Sequence, residues 1–445
     1  MLRTARTWAC SHSTLYADVS PYAAKVNFER QALEKRQAAT TPSGRITKST
    51  SREDDRFHMS FPGPLVLPGD DLATDPKWPP QSLRSWLMLK ERNSVTESRR
   101  RIYVVSYPDI TPESASMRAW TQPKLPERRQ LSTLPFHINA VPPSGEQICE
   151  YLRAFYHGLD VKLHAEAFRW VPWEEESVTD QSRFVGLAAD DGQCVRIRCR
   201  PSPDQLASSQ LNLNDILDAL MEVVPDDAYA VIMLISHDLY EDEEDDFCCG
   251  RAYGASRIAV VSSFRYQPCL DAHSGVDHGH MWPASHCSSY IEQVCGLQGK
   301  DSRGTSYQTA ARSEISDPLP SAVVAAEAAL IPKSYEDFNN LWLSRVSRTT
   351  SHELGHCFGF DHCVYYACVM QGTCGLAEDG RQPPYLCPVC LAKLTAAVVG
   401  IKADKSEERD YIRDRYRALK NYCERWSSVG MFAGFHAWLD ARLGQ

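Results

Sequence analysis

The 445-residue sequence predicts an α/β fold: a mixed, twisted sheet with a long helix that carries metal ligands. Three observations lead there. Ala228–Ile235 is almost wholly apolar, as in a central strand covered on both faces. Strand-like and helix-like stretches alternate from Ile102 onward, which favours helices packed on a sheet. His352 and His356 are four residues apart in a helix-compatible stretch, so both rings lie on one helix face.

Taken in order, residues 1–60 are polar and are expected to form a mostly disordered tail, with one helix near Tyr22–Gln37. Residues 61–101 form a proline-rich extended segment and linker. Phe61–Gln81 should lie against the folded body, because Leu65, Val66, Leu67 and Trp78 need cover, and Trp86–Arg101 reads as a charged helical piece. The folded domain is expected over 102–445. Ile102–Tyr107 is its first strand. Gly145–Gly158 is a helix with Ile148, Tyr151, Leu152 and Phe155 on one face. Val161–Phe168 and Val195–Cys199 alternate like strands, and Leu213–Val224 repeats its apolar residues like a helix. Phe247–Tyr253 and Ile258–Phe264 are further strands. Trp342–Cys357 is the ligand helix, Ser406–Ala441 closes the domain helically, and no internal repeat is visible.

Composition narrows the function. A hydrophobic fraction of 43% supports a substantial core, and a net charge of −9 argues against nucleic-acid partners. Met1–Arg30 lacks a continuous apolar core, so no secretory signal is expected. The apolar runs Ala228–Ile235 and Ala322–Ile331 are too short to span a bilayer. A cytoplasmic or nuclear, reducing location follows, where the 16 cysteines are more apt to bind metal than to form disulfides.

The chemistry concentrates between His352 and Cys390. Two imidazoles on one helix face can reach one zinc ion at about 2.0–2.1 Å. Glu353, beside the first ligand but turned around the helix, is placed to take a proton from a water in an open metal position. Gly359 tolerates the left-handed backbone that ends helices, so the chain can turn and bring His362 to the same ion. Two incidental histidines would explain His352 and His356 alone, but not Gly359 and His362 at their offsets. The whole string, His-Glu-x-x-His-x-x-Gly-x-x-His, is the metzincin signature. Cys363 and Cys368, with Cys387 and Cys390, have the spacing of a closed four-cysteine zinc site. Neighbours on extended backbone point opposite ways, so His362 would face the catalytic zinc and Cys363 the structural one. Met370 follows two residues after Cys368.

These residues together resemble the archaemetzincins, through His352, Glu353, His356, Gly359, His362, Cys363, Cys368, Met370, Cys387 and Cys390. The gap from Met370 to Cys387 is slightly shorter than in the family pattern. The resemblance implies a metzincin-like zincin domain over 102–445, with a zinc-ligand helix and a four-cysteine zinc subsite. It implies two zinc ions per chain and a tight turn at Met370 beneath the ligands. It also implies a zinc-dependent peptidase acting on peptide or protein substrates, while the net charge and the short apolar runs argue against a nucleic-acid or membrane partner. Metzincins hold substrate along an edge strand; Phe247–Tyr253 is the candidate, and Arg251→Pro is then expected to weaken cleavage without releasing zinc. The competing reading is a zinc-stabilised binding or scaffold protein with little turnover.

Other features read more plainly. Glu241–Asp246 is six acids in a row and is expected to be a solvated loop, because it lacks the alternating ligands of a calcium site. His273, His278, His280, His286 and Cys287 match no standard metal spacing and read as a surface insert. Cys357 should be a buried apolar thiol. Cys374 ranks below the four named thiols, Tyr365 and Tyr366 are expected in packing roles, and Cys10 is weighed as an inhibitory thiolate and set aside.

Overall fold

The computed structural model describes residues 10, 12–46, 52–125, 140–174, 176–296, 309–311, 317–329, 332 and 334–444. Its main sheet has five strands in the spatial order Gly250–Tyr253, Ile258–Ser262, Ala228–Ile235, Arg101–Val105 and Asp160–Leu163. Four of them run parallel, and the edge strand Gly250–Tyr253 is antiparallel to its neighbour. Ala228–Ile235 is the middle strand and is buried throughout. Its side chains alternate between two cores: Ala230, Ile232 and Leu234 on one face, Val231, Met233 and Ile235 on the other. That double burial is why the sequence there is uniformly apolar.

The helix Tyr335–Cys357 packs across the first face and buries Leu343, Val346 and Leu354. The helix Gly145–Phe155 joins it there. The helix Leu213–Met221 covers the opposite face with Ile216, Leu217 and Leu220.

A second, six-stranded sheet runs in the order Asp238–Tyr240, Gln210–Asn212, Cys194–Arg200, Phe184–Ala189, Phe168–Pro172 and Asp109–Ile110. It was not expected. The stretch Val161–Phe168, read as one strand, is divided: Asp160–Leu163 pairs with Arg101–Val105, while Phe168–Pro172 begins the second sheet. Between them the Glu166 amide donates to His164 Nδ1 and the Glu166 carboxylate accepts the Asp190 amide, a local turn that ends the alternation. The closing helix is likewise two, Lys405–Glu424 and Gly430–Leu443.

The N-terminal expectation needs the largest correction. Among the described residues of 1–60, Thr14–Tyr16 is a strand paired with Thr309–Ala311, and Leu33–Ala38 and Arg52–Met59 are helical. Leu15, Tyr16, Ala23 and Phe28 are buried. The polar composition misled because its few buried apolar residues pack into small clusters shared with later segments. Phe28 joins Val66, Leu72 and Val364, while Arg30 and Arg36 stack on Tyr366. Phe61–Gln81 does lie against the body, with Phe61, Leu65, Val66 and Leu67 buried.

Candidate metal centres and cleft

The ligand helix opens on a reciprocal cap: Ser334 Oγ accepts the Asp337 amide and Asp337 accepts the Ser334 amide. It ends where the chain turns at Gly359, whose φ of +76° is the left-handed value a glycine takes most readily. Three side-chain hydrogen bonds from the segment before the domain fix that turn. Trp86 Nε1 donates to the Phe358 carbonyl at 2.8 Å, Gln81 Nε2 donates to the Gly359 carbonyl at 3.0 Å, and Gln81 Oε1 accepts the Asp361 amide at 3.1 Å.

The turn brings His362 to His352 and His356, and one nitrogen from each ring lies within 4.8 Å of the other two. His352 Nδ1 donates to the Val369 carbonyl and His356 Nδ1 to the Phe360 carbonyl, each at 2.7 Å. A carbonyl only accepts, so each ring keeps its proton on Nδ1 and leaves a bare Nε2 lone pair. Those two Nε2 atoms face each other at 3.1 Å. Lone pairs so close repel unless a cation stands between them. Burial, reinforced by the neighbouring histidines, pushes the pKa values of His352 and His356 down to about 3 and that of His362 to about 4. All three are therefore neutral at pH 7, the form that ligates metal. The donor set fits a zinc ion.

The four predicted thiols also converge. The Sγ atoms of Cys363, Cys368, Cys387 and Cys390 lie within 4.8 Å of one another, all buried. Cys363 Sγ is 3.5 Å from Cys387 Sγ, and the Cys387 amide donates to Cys368 Sγ at 3.2 Å. A buried all-sulfur tetrad fits a structural zinc. The Cys363 amide donates to the Met370 carbonyl at 2.7 Å, closing the loop between the two clusters. Met370 is fully buried against the ligand helix at Gly355, where a Cβ would overlap its sulfur.

Glu353 lines a cavity of about 470 Å³ together with His352 and His362. Burial pushes its pKa up to about 8, opposed by the charge of Arg251. It sits under Gly250: a Cβ on that glycine would come within 3.2 Å of Glu353 Oε1. The edge strand is shorter than expected, because Cys248 instead bridges to Leu239 of the second sheet. The Ser262 amide donates to the Cys249 carbonyl at 2.8 Å, and Arg251 stands opposite Val260 two residues on. In an antiparallel ladder hydrogen-bonded pairs recur every second residue. Arg251 thus spends its amide inside the sheet, and Ala252 is the residue that turns its N–H outward.

The remaining candidates separate. Cys357 is buried in the core and Cys374 is exposed at the cavity rim. Tyr366 hydrogen-bonds to His58 Nδ1 at 2.7 Å, and neither it nor Tyr365 lines the cavity. Glu244, Asp245 and Asp246 line the cavity mouth, while Arg200 gathers the carbonyls of Asp242, Glu243 and Asp245. Cys10 stands with Cys287, away from the three histidines. Sequence reasoning missed Gln81, Asp71 and Trp78. The Trp78 ring lies 5.3 Å from that of His362, and a Cβ on Gly372 would meet both Asp71 and His362 Nδ1. The only signal was that Trp78 needed cover.

The family model for peptidase family M54 matches residues 320–396, which take in the ligand helix, all three histidines and the four thiols. Archaemetzincin-2 of Homo sapiens is 28% identical over 49% of this chain and 48% of its own length. The chain is similar to the archaemetzincins over its ligand helix and thiol segment. The archaemetzincin-2 of Rattus norvegicus is 26% identical over 48% of this chain and 47% of its own length. The match to archaemetzincin-1 of Homo sapiens reaches further, 25% identity over 69% of this chain and 51% of that protein. The chain thus matches about half the length of these archaemetzincins. A weak structural likeness, with a TM-score of 0.31 and 16% identity, spans 68% of this chain and 97% of an archaemetzincin from Methanopyrus kandleri. Among the described residues no helix is long and apolar enough to cross a membrane.

Proposed function

We propose that the protein is a zinc-dependent peptidase, with His352, His356 and His362 holding the catalytic zinc and Glu353 serving as general base. One observation carries this reading: three neutral histidines aim free ring nitrogens at one point, beside a cavity that two of them line together with a buried carboxylate and that borders a sheet edge. When bound, the zinc supplies Lewis acidity, polarising a carbonyl and acidifying water. The chain's own residues do the rest. Glu353 takes one proton from the attacking water as the oxygen–carbon bond forms, and gives it to the amine nitrogen as the carbon–nitrogen bond breaks. Ala252 offers its outward N–H to an extended peptide, in the manner of an added strand. The acids at the cavity mouth favour cationic substrate side chains. Cys363, Cys368, Cys387 and Cys390 hold a second, structural zinc that secures the segment presenting His362 and Met370.

The test is digestion of a random peptide pool by the full chain and by Glu353→Ala. Cleavage by the wild type, with loss of about 10²–10⁴-fold in the variant at unchanged zinc content, is the expected outcome. Near-wild-type turnover by Glu353→Ala would contradict the assigned base. An inert wild type would favour the binding-protein reading.

A further inference from the structure

We propose that Cys10, His12, His280 and Cys287 form a third metal site, a closed centre of two thiolates and two imidazoles for zinc or a cation of its kind, apart from the two sites above. The ligand atoms of Cys10, His12 and His280 lie within 4.8 Å of one another. Cys287 Sγ stands 2.9 Å from Cys10 Sγ and is buried.

The two rings are prepared for a metal. His12 Nδ1 donates to Glu327 Oε1 at 2.8 Å, and His280 Nδ1 donates to Asp277 Oδ2 at 2.7 Å. A carboxylate accepts, so the proton of each ring is drawn to Nδ1 and the lone pair is left on Nε2. Both Nε2 atoms are buried and have no hydrogen-bond partner among the described residues. A carboxylate behind a histidine whose far nitrogen is bare and buried is the outer-shell arrangement of a metal ligand. The rings meet nearly at right angles, 5.3 Å apart, and His280 is held by stacking on Tyr290 at 4.1 Å. Ser289 Oγ lies 2.9 Å from Cys10 Sγ and 3.2 Å from Cys287 Sγ, placed to donate to a thiolate.

Two sulfurs and two imidazoles select a tetrahedral, borderline-soft dication. A Cys10–Cys287 disulfide would use the sulfurs but leave two buried imidazole nitrogens unsatisfied. With four protein ligands no position remains for substrate, so the site is structural. It ties the strand Thr14–Tyr16, where Leu15 bridges to Cys287, to the segment from His278 to Ser289.

The experiment compares zinc content of the full-length wild type with that of His12→Ala and His280→Ala, by elemental mass spectrometry on purified protein. Each variant is expected to hold one zinc equivalent fewer. Unchanged zinc content would overturn the site, whatever the state of the catalytic histidines. Should the variants precipitate, alkylation of the wild type under reductant decides. Labelling of the Cys10 and Cys287 peptides is expected to rise at least about tenfold when a chelator strips the metal. Equal labelling with and without chelator overturns the site, and so does full labelling by reductant treatment alone, the mark of a disulfide.

Discussion

Gly355 shows how far a single residue matters at this centre. It sits between the first two histidines, where a Cβ would overlap the buried sulfur of Met370. Gly355→Ala is expected to push the methionine and the ligand helix apart and to weaken zinc binding at the proposed three-histidine site by about tenfold, the lower range for disturbing a metal's outer shell. Competition with a fluorescent chelator measures it. His237 gives a separate, metal-free prediction. It is buried edge-on to Trp120 and Trp170, with its Nε2 against the Met117 carbonyl. Burial holds its pKa down to about 4, so it stays neutral in the fold while it titrates near 6.5 when unfolded. The stability it contributes is present above pH 6.5 and is lost as pH falls toward 4, at about 1.4 kcal/mol per pH unit. Urea midpoints for the wild type and His237→Phe between about pH 7 and pH 4.5 check this. The variant should show the shallower dependence.

The elements divide into those readable from their own pattern and those fixed by partners. The middle strand Ala228–Ile235 and the helix face of Gly145–Phe155 follow local periodicity, because burial there repeats with the backbone. The second sheet did not stand out as a sheet: Cys194–Arg200 alternates and was legible as a strand, but its partner Phe184–Ala189 is buried on both faces and shows no alternation. The edge strand's existence was legible, but its hydrogen-bond phase was not. That phase comes from the Cys249–Ser262 pairing, which moves the informative substitution from Arg251 to Ala252. Proline is tolerated on an edge where the N–H faces outward. Ala252→Pro is expected to raise KM for peptides with zinc content unchanged, whereas Arg251→Pro should also destabilise the sheet. Steady-state kinetics with urea unfolding separates the two.

Across the whole molecule, described residues of the N-terminal hundred support the site. Gln81 and Trp86 hold the turn that presents His362, and Phe28 covers Val66 and Val364. Cutting the chain at Ile102 would strip those contacts from the turn. Removing residues 1–60 exposes the faces that Leu15, Tyr16 and Phe28 bury, each worth about 1.5–3 kcal/mol. A loss of at least about 3 kcal/mol is expected in urea unfolding, and an unchanged midpoint would show that this segment does not stabilise the fold.

The histidines, Glu353 and the four thiols could be found in the sequence because their spacing is short and helix geometry or a tight turn converts spacing directly into proximity. Cys10 and His12 lie more than half the chain away from His280 and Cys287. No local rule links such positions, and only the packing of the N-terminal strand beside the later segment brings their ligand atoms together.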